Sequence, residues 1–138
     1  MNLDLTGVNW VAVIVAAVVG IVIGFVWYRP QVFGRRWAQE SGIDLPQPGE
    51  VPPPMTLVGA VVTAGLTAYV LAVLIRGLGA ATLVNGAIVG AFVWLGFVAT
   101  WLGSGVFFER RSVEWWAINA GQALVSLVVT GAIIGYLG

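Results

Sequence analysis

The chain has 138 residues, 59% of them hydrophobic and only 9% charged, with a mean hydropathy of +0.97 and a formal net charge of zero. A soluble domain of this size buries only about 60 to 70% of the surface its unfolded chain exposes, so in water this composition would leave apolar patches that aggregate. Histidine, cysteine and lysine are absent and the six basic residues are scattered arginines, which removes the zinc ligands, the nucleophilic thiol, the imidazole base, the Schiff-base amine and any nucleic-acid footprint.

Charged residues fall in clusters, and four long gaps separate them: about 7–28, 55–75, 83–108 and 115–137. A helix needs about 20 mainly apolar residues to cross some 30 Å of hydrocarbon. At 1.5 Å per residue these stretches run about 31 to 39 Å, so each can span. The expected fold is all-α: a polytopic membrane protein with four transmembrane helices, arranged as two antiparallel hairpins in a single domain, 1–138.

The first stretch has no Lys or Arg before it and an apolar core longer than a secretory signal uses, so it reads as a retained anchor helix. Thr6 is its expected N-cap, and Arg29-Pro30 stops it. Trp10 and Trp27-Tyr28 mark its two interfaces with water.

The first loop divides in two. Residues 31–39 are expected to form a short interfacial helix, with Val32, Phe33 and Trp37 toward lipid and Arg35 and Arg36 toward headgroups. Residues 41–54 carry Pro46, Pro48, Pro52, Pro53 and Pro54 and should be extended. The prolines also suit the start of the second helix, where a missing N–H costs nothing. Short connections follow at 76–82, with Gly77 and Gly79 as terminators, and at 109–114, with Ser112 as N-cap; loops this short make neighbours antiparallel.

Arginines resist translocation. Arg29, Arg35, Arg36, Arg110 and Arg111 fall on one side and Arg76 on the other, which places the proline-rich loop in the cytoplasm of an inner-membrane protein and both termini outside. Val8-Asn9-Trp10 and Val84-Asn85-Gly86 both open odd-numbered helices. A parallel duplication of a hairpin would explain this echo.

In lipid, helices associate by close approach at small residues. Ala12, Ala16, Gly20 and Gly24 recur every fourth position on the first helix, as do Ala60, Ala64, Ala68 and Ala72 on the second; the third offers Gly86 and Gly90, the fourth Ala117 with Gly121 and then Gly131 with Gly135. These are packing seams within a bundle, and Gly131 to Gly135 is also the first candidate for a contact between subunits. Trp94, Phe97, Trp101 and Phe108 form an aromatic line on the third helix. Trp94 lies near mid-membrane, where its indole N–H needs an acceptor.

No acid or base lies at bilayer depth, so nothing there can titrate for a proton-coupled transporter. Thr67, Asn85, Asn119 and Gln122 are candidates for a polar cavity, against the alternative that they are hydrogen-bond glue between helices. Arg29, Arg35, Arg36, Glu109, Arg110 and Arg111 are a candidate anion or lipid-headgroup site, against the alternative of a snorkelling anchor. Arg110 could pair with Glu114 if that segment were helical, and both Glu109 and Glu114 could approach arginines of the first loop.

Asn9-Trp10, Trp27-Tyr28-x-Pro30, Phe33-Gly34-x-x-Trp37, Leu95-Gly96-Phe97, Phe108-Glu109-Arg110 and Asn119-Ala120-Gly121 together resemble the domain-of-unknown-function family 1761, small bacterial membrane proteins. The resemblance covers nearly the whole chain and implies four helices and a membrane location, with no established activity. No catalytic, cofactor-binding or metal-binding residue is assigned. The expected function is a non-enzymatic subunit, homo-oligomeric or accessory to a larger membrane complex and in contact with membrane lipids, anionic ones included. The alternatives are a small channel or uncoupled transporter and a lipid-binding or lipid-modifying protein.

Overall fold

A computed structural model describes residues 3–45 and 49–138. Among them every regular element is helical, and four helices are long and apolar enough to cross a membrane: Trp10–Trp27, Pro54–Gly77, Leu83–Phe108 and Val113–Leu137.

Helix α1 (Trp10–Trp27) starts later than expected because Thr6 does not cap it. The Asp4 carboxylate accepts from the Thr6 N–H, the Thr6 hydroxyl and the Gly7 N–H, which commits Thr6 to a turn and holds the Asp4 carboxyl below the usual aspartate range. Asn9 is the cap instead. Its Oδ1 accepts from Val11 and Ala12 N–H, and its Nδ2 donates to the Leu137 carbonyl at 3.1 Å. One side chain therefore satisfies two orphan donors and ties the start of the first helix to the end of the last.

Past Arg29, extended as a pre-proline residue should be, the chain makes one π turn (Pro30–Gly34) and then α2 (Arg35–Ser41), closed by Gly42 in the left-handed region at φ 69°. The π turn brings Gly34 so close to the Tyr28 carbonyl that a Cβ there would overlap it. Phe33 and Trp37 do not simply face outward as expected. Phe33 packs tilted against Trp27 at 4.6 Å and Trp37 meets Tyr28 edge-on at 5.1 Å, folding this segment back on the end of α1. Of the expected extended stretch 41–54, Pro46, Gln47 and Pro48 lie outside the described residues; Pro53 is extended, and α3 (Pro54–Gly77) begins with proline at its first position.

Gly79, at φ 66°, ends the turn after α3, and Thr82 caps α4 (Leu83–Val93) through a 3.1 Å bond from the Asn85 N–H. Asn9 caps a helix while Asn85 lies inside one, so the two asparagines of the sequence echo do different work. The third span is not uniform: a π segment, Trp94–Ala99, separates α4 from α5 (Thr100–Phe108). Ser112 caps α6 (Val113–Leu137), accepting from Trp115 N–H at 2.9 Å, as its sequence position predicts.

Helix α6 is central, touching α1, α3 and α4. Its contact with α4 is the tightest in the molecule and antiparallel: Gly86 lies against Gly131, Gly90 against Leu127, and Gly135 against Thr82. A Cβ added at Gly86, Gly90, Gly131 or Gly135 would fall inside a backbone carbonyl of the facing helix. The Gly131 to Gly135 seam is thus occupied within one chain, which corrects its reading as an intersubunit contact. On the other side, Val8 just before α1, Val13 and Ala16 of α1, Ala68, Leu71, Ala72 and Ile75 of α3, and Leu127 and Ile134 of α6 form the buried core.

Candidate functional site: a cleft between three helices

The core closes only one half of the α1–α3 contact. From Ala68 onward α3 is largely buried, but the face from Met55 to Leu66 is exposed. The small-residue seam on α1 divides in the same way. Ala12 and Ala16 are fully buried, whereas Gly20 and Gly24 have only Thr130 Oγ1 and Gln122 Nε2 near them, at 3.9 and 3.7 Å from where a Cβ would sit. The two helices therefore meet near Arg76 and part toward the arginine-rich end.

The parting leaves a cleft of about 730 Å³, within the roughly 300 to 1,000 Å³ usual for small-molecule sites. Gly20 and Gly24 form one wall, Ala60 and Ala64 the opposite one, and Gln122, Ser126 and Thr130 of α6 the floor. Tyr28 and Trp37 line it near the first loop, while Phe25 and Leu66, exposed on the flanks of spanning helices, border its open side. Every lining residue is uncharged and most are apolar.

The expected polar-cavity residues fare differently. Gln122 and Thr67 line the cleft. Asn119 lies just behind it, accepting a 2.7 Å bond from the Tyr28 hydroxyl and donating to the Trp115 carbonyl at 2.9 Å. Asn85 is exposed in the first turn of α4 and takes no part, a correction to the sequence reading. Ser126 and Thr130 belong to the site and were not among its candidates, although Gln122, Ser126 and Thr130 recur at intervals of four and so share a helix face. Gln122 Nε2 donates to Ser126 Oγ at 2.8 Å.

The candidate anion site does not assemble as one cluster. Arg36 grips Glu114 through Nε and Nη2, the latter at 2.6 Å, and also approaches Glu40 at 3.5 Å. Both groups are exposed, so the pair fixes where α2 meets α6 rather than adding much stability. Glu114 does not pair with Arg110, because Arg110 turns into the left-handed region at φ 57° before α6 begins. Arg111 lies over the Trp115 ring at 5.2 Å. Among the described residues Glu109 makes no ion pair with Arg29, Arg35, Arg110 or Arg111.

Three indoles brace the frame around the cleft. Trp27 donates to the Ile118 carbonyl at 3.0 Å, Trp94 to the Ala120 carbonyl at 2.7 Å, and Trp116 to the Ala99 carbonyl at 3.0 Å. The aromatic line on the third span therefore splits: Trp94 points inward to its acceptor, while Phe97, Trp101 and Phe108 are exposed. Ala99 closes the π segment, whose i to i+5 pattern disturbs the ordinary carbonyl pairing and leaves capacity for an outside donor. Trp94→Phe should remove one interhelical bond and cost about 1 kcal/mol, read as an earlier midpoint when unfolding in mixed micelles is followed by far-UV circular dichroism; an unchanged midpoint would mean that this bond is idle.

Four apolar spans around a mostly apolar cleft define an all-helical, multi-pass membrane protein. The chain belongs to a family of proteins of unknown function, DUF1761, whose sequence profile matches residues 11–135. No curated protein and no solved structure matches it.

Proposed function

We propose that this is a non-enzymatic membrane protein that holds a lipid-like molecule in the cleft. The observation that carries this reading is the volume between α1, α3 and α6, apolar on its walls and bordered on its open side by side chains that would face acyl chains. Glycine and alanine thin both walls, leaving room for a guest where tighter packing would need none.

A conducting path is less well supported. The cleft ends at the core, where Leu71 and Ile75 are almost fully buried against Val13 and Ile134, and Asn85 contributes nothing to a polar route beyond it. A second reading, attachment to another copy or to a larger membrane complex, draws on the uncovered half of α3, where a Cβ at Gly59 or Gly65 would meet open space. Five arginines against one support placing the first loop in the cytoplasm of an inner membrane, with anionic headgroups near Arg29, Arg35 and Arg36.

Native mass spectrometry of the chain released from bilayer nanodiscs tests the proposal. A bound species of lipid-like mass should persist under activation that strips annular lipid. A bare chain under the same activation would contradict it, and the same spectra count the copies in the assembly.

A further inference from the structure

Hydroxyl groups in a membrane helix usually satisfy themselves on their own backbone. Thr63 donates to the Gly59 carbonyl at 2.8 Å, Thr100 to the Gly96 carbonyl at 2.8 Å, and Ser104 to the Trp101 carbonyl at 2.6 Å. Thr130 breaks the pattern. The residue is only 4% exposed, it lines the cleft with its hydroxyl opening on that space opposite Gly20, and among the described residues that hydroxyl has no hydrogen-bond partner. The neighbours on the same face are half-used: among the described residues Ser126 accepts from Gln122 but donates to nothing, and the Gln122 side-chain carbonyl oxygen receives no donor. Across the cleft the Thr67 hydroxyl is likewise without a partner among the described residues.

A hydroxyl facing a cleft filled by hydrocarbon loses about 1 to 3 kcal/mol relative to one that is satisfied, and a purely apolar guest would leave that loss in place. A charged headgroup is excluded by the other side of the argument. No lining residue carries a charge, and an ion drawn to this depth without a counter-charge is expensive. What fits is a molecule with an apolar body and one small uncharged group that both donates and accepts, or accepts alone.

Resting on the cleft reading above, we infer that the cleft selects a neutral amphiphile, an apolar chain or ring system bearing a hydroxyl or carbonyl. That group bonds to Thr130, Ser126 and Gln122 on α6. The remainder lies between the Gly20–Gly24 and Ala60–Ala64 walls and leaves through the side bordered by Phe25 and Leu66.

Three photoreactive probes of equal chain length, each with a mid-chain diazirine, separate the possibilities: a long-chain alcohol, the matching carboxylate and the matching alkane. Each is incorporated with the full chain into nanodiscs of zwitterionic lipid, and labelled peptides are mapped. The alcohol should label residues of the cleft several-fold above the carboxylate and the alkane. Thr130→Val should lower the alcohol's labelling about three- to tenfold, the loss of one or two neutral hydrogen bonds, without changing the alkane's, and Thr130→Ser should restore it. Gln122→Met gives a second variant with the same expected direction. Equal cleft labelling by alcohol and alkane, indifferent to Thr130→Val, would overturn the selectivity while leaving the cleft reading intact. Stronger labelling by the carboxylate would also overturn it. Labelling spread over the outer faces of α3 and α5 with all three probes would overturn the cleft reading itself.

Discussion

Gly86→Ala and Gly131→Ala should each destabilise the bundle by about 1 to 3 kcal/mol or more, the range for forcing an extra carbon into a filled contact. The sign is the informative part. Alanine favours a helix over glycine by up to about 1 kcal/mol, so on an unconstrained face the same change is neutral or stabilising. At Gly86 and Gly131 the new methyl meets a backbone carbonyl of the opposite helix, which cannot rotate away, so α4 and α6 must separate along their whole contact. Gly59→Ala and Gly65→Ala, whose new methyl groups would meet nothing within 4 Å, are the controls and should hold or raise the unfolding midpoint. Unfolding titrations of the four variants in mixed micelles check the contrast; equal effects at all four positions would refute the α4–α6 register.

The second large effect separates binding from stability. Gly20→Leu combined with Gly24→Leu places two branched side chains into the cleft, where the nearest atoms lie 3.7 Å or farther from the added Cβ positions. The fold should tolerate both, and the retained molecule should fall at least about tenfold, equivalent to about 1.4 kcal/mol, by steric exclusion. Native mass spectra before and after the substitutions measure it. Undiminished retention with an intact fold would locate the bound lipid elsewhere, on the outer faces of the helices.

How far the residues reveal these features depends on the range of the interactions involved. The four spans are legible because charge is excluded from hydrocarbon, a property of each segment alone. Gly86, Gly90, Gly131 and Gly135 are legible as close-contact positions for a similar reason: small residues at intervals of four expose backbone on one face. Which faces meet is not local, and so Gly131 and Gly135, legible as a bundle seam, also admit an outward contact until α4 is seen to cover them. The same holds for Gly20 and Gly24. They continue the seam of Ala12 and Ala16 without a break in sequence, and only the divergence of α3 makes them the wall of a cleft.

Capping shows competition between neighbours. Thr6 and Asn9 are both good caps, and Asp4, two residues before Thr6, takes its N–H and hydroxyl. That Glu114 can meet an arginine of the first loop is legible from charge alone, but which one is not: Arg36, 78 positions away, reaches it only after the π turn and α2 fold back on α1. The π segment at Trp94–Ala99 has no signature in hydropathy. Thr130 appears ordinary in the sequence because a span tolerates threonine wherever it bonds its own backbone; its unpaired hydroxyl is visible only in three dimensions.

The most direct test of the account is the side of the membrane on which successive loops emerge. With no native cysteine, Ile43→Cys in the first loop and Ala81→Cys in the second can each be treated in intact cells with a membrane-impermeant maleimide. The account predicts modification at position 81 alone, and at both positions once the membrane is permeabilised. Modification of both in intact cells, or release of the chain from membranes without detergent, would contradict four alternating crossings.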